Sequence, residues 1–107
     1  MGLPAEIEAE LSLAREAEKE GNHGKARVCA RRAVGKAYTL SRSPSVPAPA
    51  FSTTQILKII SADVTLSEAI RVSAERLAAS VAVDRGAFVS TQPVQDALLI
   101  ISALIKE

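Results

Sequence analysis

Few residues of this 107-residue chain have types that could do chemistry: one histidine, one cysteine and one cluster of basic side chains. General base work needs a partner within hydrogen-bond reach, and His23 has only Gly24 and Lys25 beside it. A metal site takes several His, Cys or carboxylate ligands, whereas His23 and Cys29 stand alone, six residues apart. His23 therefore reads as a turn residue. Cys29 falls in the middle of an apolar helix face and reads as an inert buried thiol. Glu6, Glu8 and Glu10 read as charges at a helix start, not as a catalytic pair. No catalytic residue, metal or cofactor is expected, and the chain is not expected to be an enzyme.

The basic cluster is the one plausible ligand surface. Lys25, Arg27, Arg31, Arg32, Lys36 and Arg42 lie within residues 21–42, which hold no acid. Phosphate or nucleic-acid recognition would use such a set, with Lys25, Arg31, Arg32 and Lys36 as the candidate anion-binding residues. Three features weigh against it. Net charge is only +1, aromatic residues for stacking bases are 3% of the chain, and the preceding segment is acidic. Residues 1–20 carry six Glu against Arg15 and Lys19, a net of −4. The turn sequence GNHGK also lacks the spacing and the Ser/Thr of a phosphate-binding loop.

These residues must be positioned by helices. A hydrophobic content of 48% with 23% charged residues describes a folded chain, and the core has to be built from Ala, Leu, Ile and Val. One cysteine excludes an internal disulfide and suits a reducing cytosol. The opening MGLPAEIEAE is acidic and lacks an apolar h-region, so no signal peptide is expected. The longest apolar run, 97–105, is about half of a membrane span. A cytoplasmic location follows as the expectation.

In chain order, Pro4 suits a first helical turn, and Leu3, Ile7, Leu11 and Ala14 make one apolar stripe of a helix over 4–20. Gly21-Asn22-His23-Gly24 predicts a tight reversal. A second helix over 25–40 places Ala26, Cys29, Ala30, Ala33, Ala37 and Leu40 on one smooth face, with Lys25, Arg32 and Lys36 opposite. Residues 41–52 (SRSPSVPAPAFS) read as a Pro-rich spacer. Ser52-x-x-Gln55 and Thr65-x-x-Glu68 resemble capping boxes for a short helix bearing Ile56, Leu57, Ile59 and Ile60 and for a helix over 66–83. On that helix Leu66, Ile70, Ala74, Leu77 and Val81 form the expected buried stripe, with Glu68, Arg71 and Glu75 outward. Asp84-Arg85-Gly86 closes it, a loop passes through Phe88, and Pro93 opens a last helix that is apolar all round. Such a helix must be covered on most sides, by the chain itself or by a partner.

The segment 13–40 resembles a single tetratricopeptide-type unit. Aligned on Gly21, Leu13-Ala14 falls at that motif's Leu-Gly pair and Ala17 at its aromatic. Ala26 and Ala33 match its two small residues, and Tyr38 stands at its closing proline. Glu10 departs from its tryptophan-like position, and no second copy follows. The run Ala14, Ala17, Gly21-Asn22, Lys25-Ala26-Arg27 also resembles the first hairpin of small bacterial HEPN-type helical domains. Members that cut RNA place a His a few residues after an Arg. Here only His23 follows an arginine, eight residues after Arg15, which implies a non-catalytic member.

The expected fold is thus all-α, a small bundle of about five helices in one domain over 1–107. An antiparallel hairpin at 4–40 is joined by the Pro-rich spacer to a three-helix part at 53–107. The expected function is a protein-protein interaction or assembly module acting by helix packing, as a homo-oligomer (a homodimer) or with another protein. Leu98, Leu99, Ile101, Leu104 and Ile105 of the last helix are the expected interface. The alternative is a nucleotide or nucleic-acid binding accessory domain using the basic face of the second helix.

Overall fold

The computed structural model describes residues 3–41, 52–79 and 91–105, which form five helices and no strand: a small all-α bundle. They are α1 (Ala5–Lys19), α2 (His23–Ser41), α3 (Thr53–Ala62), α4 (Glu68–Ala78) and α5 (Pro93–Leu104). Residues 42–51 of the Pro-rich spacer, the helix end around Val81 to Gly86 and the loop through Phe88 lie outside the described residues, while Ser41 ends α2 and Ser52 caps α3.

Pro4 starts α1, and its carbonyl accepts from the Ile7 and Glu8 amides at 3.0 Å each. Glu6 and Glu8 lie in the first turn and Lys19 in the last, both favourable to the helix dipole. The reversal after α1 is shorter than the four-residue turn expected. Gly21 takes a positive φ of 76°, the left-handed conformation that glycine adopts without strain. The Asn22 amide donates to Ala17 O (2.8 Å) and the Gly21 amide to Glu18 O (3.1 Å), the two bonds of a Schellman ending. Asn22 then opens α2: its Oδ1 accepts from the Lys25 amide at 3.2 Å, and its carbonyl from Ala26 at 3.1 Å. One asparagine ends α1 and begins α2, so His23 and Gly24 belong to the second helix.

α2 is the central element, in contact with all four others. Its small-residue face buries as expected: Ala26, Ala30, Ala33 and Ala37 are fully covered and Cys29 is 3% exposed. Leu40 departs from that expectation and is 54% exposed. Val34 and Gly35 are buried as well, on a second side of the helix. At Gly35 a Cβ would lie 3.1 Å from the Thr53 methyl, so α3 approaches the α2 backbone closely. A helix buried on two sides explains why hairpin and C-terminal helices share one core. That core is aliphatic, with Ile7, Leu11, Leu57, Ile60, Leu77, Ile100 and Ile101 as its largest members. Each such side chain contributes about 1.5–3 kcal/mol by its removal from water.

The Ser52–Gln55 capping box forms in full: the Gln55 amide donates to Ser52 Oγ (3.2 Å), and the Ser52 amide to Gln55 Oε1 (2.9 Å). The expected box at Thr65–Glu68 does not. The Thr65 hydroxyl and amide both donate to Asp63 Oδ1, at 2.6 and 2.9 Å, which turns Thr65 toward the preceding carboxylate. Ser67 caps instead, accepting from the Ile70 amide at 3.4 Å, and α4 begins at Glu68. Ala74 and Leu77 are buried and Leu66 and Ile70 partly so; Arg71, expected outward, is half-buried with its Nε enclosed.

Candidate interaction surface

The four candidate anion-binding residues do not act as one set. Lys25 and Arg32 are exposed on α2. Arg31 turns away from them and caps the end of α4, its Nε donating to Leu77 O at 2.6 Å and its Nη2 to Ala79 O at 2.9 Å. The sequence around Arg31 carries no sign of this, because the carbonyls it meets are 46 and 48 residues away. Burial lowers the Arg31 pKa from its ordinary value, with the neighbouring Arg27 charge adding to the effect. Lys36 pairs with Glu10 at 3.5 Å. Arg32 and Lys36 line a groove of about 370 Å³ between α1, α2 and α3, but Glu6 and Glu10 line it too, beside Leu40 and Ile56. Positive charge there is balanced by the acidic helix across the hairpin.

His23 lies in the first turn of α2 beside Arg15 and Glu18, in an open groove against the start of α5. Glu18 Oε2 accepts from the Val94 amide at 3.3 Å, so one carboxylate of α1 serves the positive end of α5. No group of three or more His, Cys, Asp or Glu among the described residues could hold a metal ion. No described helix is long and apolar enough to cross a membrane.

The residues singled out on the last helix separate into three environments. Ile101 is 1% exposed and belongs to the chain's own core, so it is no surface residue of this fold. Leu98, Leu104 and Ile105 are half-buried and pack against that core. Leu99 is 41% exposed. It stands at the edge of a groove of about 550 Å³ between α4 and α5, lined also by Glu68, Ala69, Val72, Ser73, Arg76, Gln92, Gln95 and Asp96. Val72, the apolar counterpart of Leu99 on α4, is 37% exposed.

Below these two residues the groove has an ordered polar base. Arg76 Nη2 donates to Asp96 Oδ1 at 2.8 Å and to Ser73 Oγ at 3.2 Å, and its Nε reaches Asp96 Oδ2 at 3.5 Å. The Asp96 side chain is 9% exposed and that of Arg76 41%, so the pair is anchored on α5 and open to solvent on α4. The hydrogen bond to Asp96, reinforced by its charge, raises the Arg76 pKa from its ordinary value. The α4 half of this surface, Glu68, Val72 and Arg76, was not singled out from sequence. Two signals were available: Val72 falls off the buried stripe of its helix, and Asp96 is the sole charged residue of a largely apolar α5.

Comparison with protein-family models, with curated proteins and with solved structures gave no match.

Proposed function

We propose that this chain is a small interaction module that acts by helix packing, and that the α4–α5 groove is its docking surface. The observation that carries this reading is the pairing of Val72 and Leu99. Two large apolar side chains flank one groove on adjacent helices, over a base held rigid by the Arg76–Asp96 bridge. Partner helices dock onto grooves of this kind by placing side chains at helical spacing between the two walls. An apolar pair rimmed by polar groups is the pattern of an interaction site more than of a solvated face. Anion binding by Lys25, Arg31, Arg32 and Lys36 has less support, because Arg31 and Lys36 already serve contacts within the fold.

The test compares proteins co-purified from expressing cells with the wild type and with Leu99→Lys and Val72→Lys. Both variants are expected to keep the wild-type far-ultraviolet circular dichroism and to lose the same partners. Equal recovery of every partner by all three proteins would overturn the reading.

A further inference from the structure

We infer that the occupant of the α4–α5 groove is a second copy of this chain, docked about a two-fold axis that passes beside Val72. The inference rests on the groove being a docking surface and adds the identity of the partner.

It starts from the order of residues on α4. Glu68, Val72 and Arg76 recur at i, i+4 and i+8 along the wall of the groove. Val72 is equidistant from an acid and a base, about 6 Å along the axis from each. A two-fold axis at Val72 runs a second α4 antiparallel to the first and exchanges the two ends. Glu68 of each copy then meets Arg76 of the other. The charge pattern is complementary to itself, which is what a closed symmetric dimer requires of one surface. The opposite, parallel arrangement would set acid against acid and base against base.

The side-chain geometry agrees with this register. Residues spaced by four form the ridge that packs into its own counterpart in the commonest helix–helix crossing, at about −50°. In that crossing the two Val72 side chains pack against each other across the axis, at the edge of the grooves that Leu99 lines, so the exposed apolar residues of both copies leave water together. Arg76 can serve two carboxylates: its Nη2 and Nε are directed to Asp96, and a guanidinium offers five N–H donors in all. Glu68 is exposed at the far end of the same wall. Subtracting two Cα radii of ~2.3 Å from an interaxial distance of about 8–10 Å leaves Cα atoms that face each other across the axis about 3.4–5.4 Å apart. The upper half of that range reaches the ~4.4–6.8 Å that a disulfide spans.

The experiment combines solution mass with a symmetric cross-link. Light scattering on the eluting wild type should give twice the 11.3 kDa chain mass. Leu99→Lys and Val72→Lys should give the single mass with unchanged circular dichroism. Glu68→Arg, which changes an exposed residue, should weaken dimerisation roughly tenfold by facing like charges. In a Cys29→Ala background, Val72→Cys should form a disulfide-linked dimer under oxidised glutathione, and Glu75→Cys, off the groove on the same helix, should not. A wild-type monomer at every concentration would overturn the inference. A dimer that ignores Leu99→Lys and Val72→Lys and gives no Val72→Cys cross-link would overturn it as well. A monomeric wild type that still loses a co-purified partner on Leu99→Lys would reject the second copy while leaving the docking surface in place.

Discussion

The two helix pairs that flank the core are built on opposite plans. Between α1 and α2 the seam is made of Ala14, Ala17, Ala26, Ala30, Ala33 and Ala37, each at most 1% exposed. Between α4 and α5 the contact is made by Ala74, Leu77, Ala97 and Ile100 beneath, and by the Arg76–Asp96 bridge at the rim. Small side chains let backbones approach until nothing is left to occupy, and a seam of that kind is finished by folding. Long side chains around an ion pair leave an open trough, here one flanked by Val72 and Leu99. Two packed helices can therefore give a closed structural seam or a surface with room for another helix. Side-chain length at the rim decides which.

That contrast can be broken in a graded way. The largest effect is expected in the closed seam. Leu11→Ala removes a fully buried side chain and leaves a cavity in the core, and should cost about 2–5 kcal/mol in urea denaturation. At the open pair, Asp96→Ala leaves Arg76 without its carboxylate and should cost about 1–3 kcal/mol. The double change Asp96→Leu with Arg76→Met should recover most of that loss, since a half-buried ion pair is replaced by apolar packing. Arg31→Met withdraws the cap from the α4 terminus and should cost about 1–2 kcal/mol. Its clearest sign would be faster amide exchange in the last turn of α4 than elsewhere. Leu99→Lys, by contrast, should change stability by less than about 0.5 kcal/mol, because its side chain already meets water.

The smallest effect expected is one of pH, at the α3–α4 corner. The hydrogen bond from the Thr65 hydroxyl, then that from the Thr65 amide, hold the Asp63 carboxyl below its usual range. A depressed folded-state pKa stabilises the fold above the unfolded Asp range near pH ~4 and loses that contribution as pH falls through the folded value. Thr65→Val should raise the Asp63 titration midpoint in carbon-detected NMR and flatten the acid limb of stability. An unmoved midpoint would mean that the Thr65 hydroxyl has no part in it.

Much of the architecture was legible because it rests on local rules. Gly21 marked the reversal, Ser52 and Gln55 the start of α3, and the alanine spacing the buried face of α2, each readable within a few residues. Where two local rules competed, reading failed. Thr65 and Ser67 are both competent caps, and only the position of Asp63 diverts Thr65. Asn22 was assigned to one helix end and serves two. The last helix showed why composition alone cannot locate a surface: Ile101 and Leu99 are two residues apart on a largely apolar segment, and their environments are opposite. Only Gln95, Asp96 and Ser102 interrupt its apolar residues, too few to tell from sequence which of the others face the core.

Residue order by itself therefore determined that this chain is all-α, where its hairpin turns and which face of α2 is covered, because helix period and capping act over about five residues or fewer. Tertiary structure alone decided that Arg31 closes a helix far along the chain, that Arg76 meets Asp96, and that Val72 and Leu99 share one groove. Those outcomes depend on which helices become neighbours. That is settled by packing five amphipathic segments around one core, where no short-range pattern can specify the partner.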